Sequence, residues 1–528
     1  MSKIFIAITL LIMIISCTSI KKFNTEITSL HTPEELYVDI DKAYNKLKKL
    51  HPRLYQFTSK DELDFKFDSL KLTIIEPISS LEFYKKIAPV ISEVRQGHIS
   101  VSPPAKRYTK RELKELKEKS FEFYKLDFEN VNDALLVKAN YSSDSTLVGA
   151  QVMSVDEEPI ESIYKAYNKL YASDGYNTSF KERFWALRFS SFYYKNNGYV
   201  DSLSIAFKKN DSLFVKVLKR IDKDSVRSPF IDKNKDDDES VAKLNSLEKK
   251  EQRKKAKALK KYNNNHGYIK SKNLYTRNFN FIGNDSTIAY LKIRNFNNGV
   301  YDDFYEEVFE KIKEKKSNVL VLDLRDNTGG RVNEILELYS YLQDEPFQFV
   351  KKAEVKTRIP FLKSFISKDK SLGLNVIGVL SSPIAIPVEV LRTTKNNNVT
   401  YYRVSGSKKN NKPKQNNYKG KIYVLINGNS FSASSILSTN LKTKSNVIFV
   451  GEETGGNFNG TVAGVQKYVE LDNSKVTLNF GLMHIQSPYE SSTNGHGILP
   501  DIKIIPNKAD RLNHIDPELD WILRKENK

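Results

Sequence analysis

KIYVLINGNSFSASSILSTNLKTKSNVIFVGEETGGNFNG, residues Lys421 to Gly460, sets a serine-rich turn between a buried strand and a helix. Ile422 to Ile426 is an apolar run with β-branched residues, and Ala433, Ile436, Leu437, Asn440 and Leu441 recur at helical spacing. The turn Asn427 to Ser432 therefore opens a helix, whose first N–H groups have no intrahelical partner. Together with the positive end of the helix dipole, such groups suit the oxyanion formed when a hydroxyl attacks an acyl carbon. Ser and Asn ahead of a helix are also ordinary capping residues, so the turn alone does not establish catalysis.

A second strand-turn-helix unit lies upstream. Asn318 to Leu324 (NVLVLDL) reads as another buried strand, Arg325-Asp326-Asn327-Thr328-Gly329-Gly330 as the turn, and Val332, Ile335, Leu336, Tyr339 and Leu342 as a helix face. Two glycines there let a backbone N–H come close to a ligand. In wording and order, LDLRDNTGG, SFSASSI, VGEETGG and HGILPDI resemble the core of the tail-specific, C-terminal processing serine peptidases, particularly their tricorn-like and retinoid-binding-protein-like branch. The likeness runs from about Ser286 to Ile505. It implies an α/β fold with a crotonase-like core, Ser432 as nucleophile, the Ala433 N–H as one oxyanion donor and that of Gly329 or Gly330 as the other. Ser430, Ser434 and Ser435 would be neighbours.

One departure bears on mechanism. In the serine-lysine branch the lysine follows the GE-x-T glycine turn, and Asn457 stands there; an amide cannot take the serine proton. The tricorn-like branch uses a histidine from an upstream GH turn, matched by Gly97-His98, although its preceding serine is Gly97 here. His98 is thus the expected base, with His484 and His496 as rivals, and activity is expected to rise with pH through a step near the ordinary histidine value of ~6.5. For the group that orients the ring, the branch's glutamate is replaced by Asn494; Asn494, Glu452, Glu490 and Asp501 stay open as candidates. The alternative reading is a catalytically silent peptide-binding lipoprotein of the same fold.

Residues Met1 to Ile15 have a basic start and a short apolar stretch, ended by Ile14-Ile15-Ser16-Cys17. This resembles a bacterial lipoprotein signal with its lipobox, which implies lipidation of Cys17, the only cysteine, and attachment to a cell-envelope membrane. The run is too short to span a bilayer, and no later segment is expected to be long enough. The net charge of +20 would suit nucleic acid in a cytoplasmic protein. Much of the excess, however, sits in LEKKEQRKKAKALKK (Leu247 to Lys261) and KKNNKPKQNNYKGK (Lys408 to Lys421), which lack aromatics interleaved for base stacking. The expected partners are peptide or protein substrates, not nucleic acid. No cofactor is implied, and the scattered histidines and lone cysteine give no zinc pattern.

Along the chain, the expected organisation is a signal over 1–16, a tether over 17–31, a helical cap over 32–110 and a β-rich domain over 121–220. A charged linker over 222–273 and the peptidase core over 280–510 follow, the core interrupted by an insertion at about 360–418 that could form a lid. Leu147 to Asp156 resembles the strand and turn of a PDZ-like module, which could hold an extended chain by strand addition.

Overall fold

Apolar runs too continuous to alternate, such as Val319–Asp323 and Lys421–Ile426, are buried on both faces of a largely parallel sheet. The computed structural model describes residues 19–142, 146–223, 246–297, 299–366 and 372–526, so Cys17 and the apolar run before it lie outside the described residues. The sheet has six strands in the order Arg277–Ile282, Ile288–Ile293, Val319–Asp323, Lys421–Ile426, Val447–Gly451 and Ile502–Lys503, with only the first pair antiparallel. Leu322 and Val424 pack with Ile335 and Leu338 of helix Val332–Ser340 and with Leu437 and Leu441 of helix Ala433–Lys442. Val321, Tyr423 and Leu425 instead pack with Ile522 of the C-terminal helix Pro517–Glu526. The fold is mixed α/β.

A second sheet carries strands Ala353–Val355, Thr461–Glu470 and Thr477–Ile485. Strand Ser100–Ser102 joins it from the amino-terminal part, antiparallel to Thr477–Ile485, with Asn479 opposite Ser100 and Thr477 opposite Ser102. Helix Pro33–Leu50 starts at Thr32 with a capping box and buries Leu36, Ile40, Ala43, Tyr44, Leu47 and Leu50. Its Asp39, wholly buried, accepts the N–H groups of Asp472, Asn473 and Ser474 and the Ser474 hydroxyl. That clamp and the added strand fix the amino-terminal helices to the sheet. Between them, residues 119–222 form a seven-stranded sheet whose main path runs Lys119–Phe121, Ser212–Asp222, Ser202–Lys209, Gln151–Val155, Ala134–Asn140, Leu126–Val131. Helices Ser179–Leu187 and Phe189–Asn197 are also drawn from this stretch.

The expected linker and insertion each hold a helix among the described residues. Ser246–His266 is one helix, exposed along most of its length but anchored at its end, where His266 stacks on Tyr262 at 3.8 Å and meets the edge of Phe304 at 5.1 Å. The expectation that no segment beyond the amino terminus could span a bilayer fails at helix Leu372–Leu391. By length and composition alone, its residues Leu374–Leu391 are long and apolar enough to cross a membrane, and only 11% of them are buried. The sequence disguises the helix because Pro383 and Pro387 lie inside it. Its single carboxylate, Glu389, is turned inward and accepts the N–H groups of Phe361 and Leu362 at 2.8 Å each. The outer face, with Leu380, Ile384 and Leu391, is left apolar and exposed.

Candidate active site

The turns Arg325–Gly330 and Asn427–Ser432 follow adjacent parallel strands, so they emerge side by side at the strands' carboxyl ends. Hydrogen bonds lock them together. Asn427 accepts the Asp326 N–H at 3.0 Å, Asn427 and Asn429 both donate to Asp326 Oδ1 at 3.0 Å, and the Phe431 N–H donates to the Asn327 carbonyl. Burial alone would raise the Asp326 carboxyl, but Lys138, 2.5 Å away, and the two amides hold it well below the usual carboxylate range. The charge cluster therefore stays ionised and stiffens the turn pair.

Ser432 has φ 56° and ψ −117°, a backbone strained for any residue but glycine, and caps helix Ala433–Lys442 without a side-chain hydrogen bond to it. Such strain costs on the order of 1–3 kcal/mol and frees the hydroxyl for another task. Two of its neighbours are committed elsewhere. Ser430 is wholly buried, donates to the Leu324 carbonyl and accepts the Asn427 N–H, and Ser435 donates to the Ser430 carbonyl.

The Ser432 Oγ meets His98 Nε2 at 2.9 Å. The imidazole lies against the Phe431 ring at 4.7 Å and its Nδ1 meets Thr461 Oγ1 at 3.0 Å. With Nδ1–H donating to Thr461, Nε2 is left to accept the serine proton. Burial pulls the imidazole down to about 4, keeping it neutral at ordinary pH. Gly97 also has a reason: a Cβ there would come within 2.6 Å of the Phe431 ring, so a serine could not precede His98 in this arrangement.

Behind Thr461 lies Asp174, wholly buried, whose Oδ1 accepts the Gly97 N–H at 2.7 Å. Burial raises this carboxyl to about 6, against the opposing pull of the Gly97 N–H, the Thr461 hydroxyl and the Asn457 N–H. Asp174 thus places a titratable charge near Thr461 and against the Gly97 N–H, its Oδ2 left without a hydrogen-bond partner among the described residues. Sequence reasoning missed both residues. Thr461 opens the strand after the Asn457 turn, and a hydroxyl is no base; Asp174 sits alone in Ala172-Ser173-Asp174-Gly175, with no periodicity to mark it.

No hydrogen bond among the described residues engages the N–H of Ala433 or of Gly330, and both residues line a cleft of about 600 Å³ with Ser432 and His98. The Gly329 N–H is already given to Asn327 Oδ1 at 2.9 Å. Gly329 matters for closeness instead: with φ 101°, a Cβ there would fall 2.7 Å from Ser432 Cβ and 2.8 Å from the Ala433 nitrogen. Among the described residues, no cluster of His, Cys, Asp and Glu could hold a metal ion.

The family model of Peptidase family S41 matches residues 287–504. Residues 287–504 are thus similar to peptidase family S41. The chain is a serine peptidase, a hydrolase of peptide bonds. Among solved structures, mature CPAF matches with a TM-score of 0.59 at 14% identity, over 93% of this chain and 96% of that one. Mature CPAF complexed with lactacystin matches with a TM-score of 0.60 at 15% identity, over 93% and 98%. At these identities the likeness is one of fold. A search of curated proteins finds no significant match.

The remaining candidates of this peptidase lie away from the Ser432–His98 pair. Glu452 is ion-paired with Arg183 Nε and Nη2, which ties the strand end to helix Ser179–Leu187. Glu490 pairs with Lys351 at the surface, Asp501 pairs with Lys442, and Asn494 is exposed. These four therefore do not orient His98. Asn457 is buried and accepts the Gly495 N–H at 3.3 Å, a loop brace. His484 is buried and pulled down to about 3, mainly by that burial, and His496 Nδ1 faces Glu453 at 3.4 Å.

Proposed function

We propose that this serine peptidase is an endopeptidase acting on peptides or unfolded proteins through a Ser-His mechanism. Ser432 Oγ attacks the peptide carbonyl carbon while its proton passes to His98 Nε2. The oxyanion is held by the Ala433 and Gly330 N–H groups. Proton return from the imidazolium to the amide nitrogen expels the amine, and water then hydrolyses the acyl-Ser432 ester by the same proton route. Thr461 fixes the ring tautomer, and Asp174, when ionised, stabilises the imidazolium through the Thr461 hydroxyl.

The observation that carries this reading is the 2.9 Å contact between Ser432 Oγ and His98 Nε2. A fluorophosphonate probe tests it: the expected result is one covalent label, on Ser432, with loss of cleavage of an unfolded polypeptide in proportion to labelling. A protein that binds the polypeptide yet neither labels nor cleaves it would be the silent form. The core is read as crotonase-like, and the sheet over residues 119–222 as a PDZ-like module that holds an extended chain.

Cys17 is read as the lipidated residue that anchors the peptidase to an envelope membrane, on the strength of Ile14-Ile15-Ser16-Cys17. Cys17→Ser is expected to move the protein out of the detergent-extracted membrane fraction or leave it as an unprocessed precursor. Identical fractionation of processed wild type and variant would end this reading.

A further inference from the structure

His98 stands in the wall of two cavities, the Ser432 cleft and a neighbouring pocket of about 310 Å³. Arg188 lines both. The second pocket is walled by Leu170, Tyr171, Phe184 and Phe192, and its charged side chains are Arg188 and Lys195. The cleft adds Arg331, Arg392 and Arg403, and neither lining contains an aspartate or glutamate. Arg331 has Glu334 at 3.4 Å outside the cleft. No ion pair among the described residues engages Arg188 or Lys195.

Arg188 is exposed, its guanidinium 5.9 Å from the Phe184 ring. Lys195 is half-buried, and its ammonium is pushed below the ordinary lysine value first by burial and then by the charge of Arg188. Partial desolvation of Lys195 against the apolar wall strengthens its repulsion from the Arg188 charge. An arrangement of this kind is relieved when an anion enters, and a guanidinium beside an ammonium suits a carboxylate's two oxygens. The apolar wall around them would take the methylenes or ring of the group that bears the carboxylate.

We propose that Arg188 and Lys195 form a carboxylate-binding subsite through which the peptidase selects substrates bearing an acidic group close to the scissile bond. The proposal rests on the Ser432–His98 reading for where the scissile bond lies. The carboxylate has two sources in a peptide, an acidic side chain or the chain's own terminus.

The test scans an otherwise neutral fluorogenic peptide with Glu or Gln at each position around the cleavage point, each made with a free or an amidated carboxyl terminus. For a side-chain carboxylate, Glu is expected over Gln by about tenfold or more in kcat/KM at one position, chiefly through KM, whatever the terminus. For a terminal carboxylate, the same preference appears as free acid over amide. In Arg188→Gln/Lys195→Gln the ratio is expected to fall to near one, and in Arg188→Glu/Lys195→Glu to favour Lys over Glu. Equal cleavage throughout, or a ratio that survives the double Gln variant, overturns the proposal. Kd values for the same peptides on Ser432→Ala protein read the subsite without catalysis. A Glu or free-acid preference there, with no fluorophosphonate labelling of the wild type, would sink the peptidase mechanism and leave the subsite standing.

Discussion

Ser432→Ala is expected to abolish fluorophosphonate labelling and to lower kcat by on the order of 10⁵-fold or more, since removal of an activated nucleophile takes the whole covalent route with it. The protein should stay folded. The hydroxyl makes no capping bond, so its loss removes only the contact with His98, worth about 1 kcal/mol or less in net stability. Circular dichroism and thermal unfolding check the fold, and intact mass after probe treatment checks the label. Ser430→Ala is the matched control. Ser430 is buried and bonds to the Leu324 carbonyl and the Asn427 N–H, so its removal should cost about 1–3 kcal/mol while the label stays on Ser432. The reverse pattern, with Ser432→Ala labelled and Ser430→Ala silent, would move the nucleophile to Ser430.

His98→Ala should lower kcat by at least ~10²-fold, the lower end of general-base contributions, and the pH dependence tells how the base is held. A solvated histidine would put the acid limb of kcat/KM near ~6.5. Burial lowers His98 to about 4. Falling pH protonates Nε2 only near that value, so base catalysis is lost there and is complete above it. Asp174 adds a second limb: raised to about 6 by burial, it becomes neutral as pH falls through that value and no longer stabilises the imidazolium. The expected profile of the wild type therefore declines in two steps, near 6 and near 4. Asp174→Asn should remove the upper step and lower the plateau about tenfold or more, whereas a purely structural Asp174 would change stability without moving the limb. If His98→Ala turns over normally while His484→Ala or His496→Ala does not, the base is misassigned.

The nucleophile turn was readable because its signals are local. An apolar run followed by Asn427, Ser430 and Ser432 and then a 3.6-residue periodicity specifies strand, turn and helix within about twenty residues, and the structure has them at Lys421–Ile426 and Ala433–Lys442. Position 98 was readable only through its Gly-His pair, since nothing local tells a base from a packed histidine such as His51. The orienting residues were not readable. Glu452 looked suitable because it is acidic and near the GE-x-T turn, but its charge is spent on Arg183, which no local pattern announces. Thr461 meets His98 from a distant strand and Asp174 bonds the neighbouring Gly97 N–H from a loop, and such long-range meeting leaves no periodicity in either segment. Helix Leu372–Leu391 is hard to read for the opposite reason, since Pro383 and Pro387 lie inside it and interior prolines ordinarily break a helix.

The separation of 334 positions between His98 and Ser432 also sets a timetable. A nascent chain is made from its amino terminus, and long-range pairings close late. The base is synthesised early with nothing to activate, and the hydroxyl appears far downstream. His98 is positioned only when strand Ser100–Ser102 finds Thr477–Ile485 and Asp39 closes on the Asp472–Ser474 loop, both synthesised long after it. On the Ser-His reading, a copy whose amino-terminal helices have not docked on the sheet lacks the pair, and competence waits on folding.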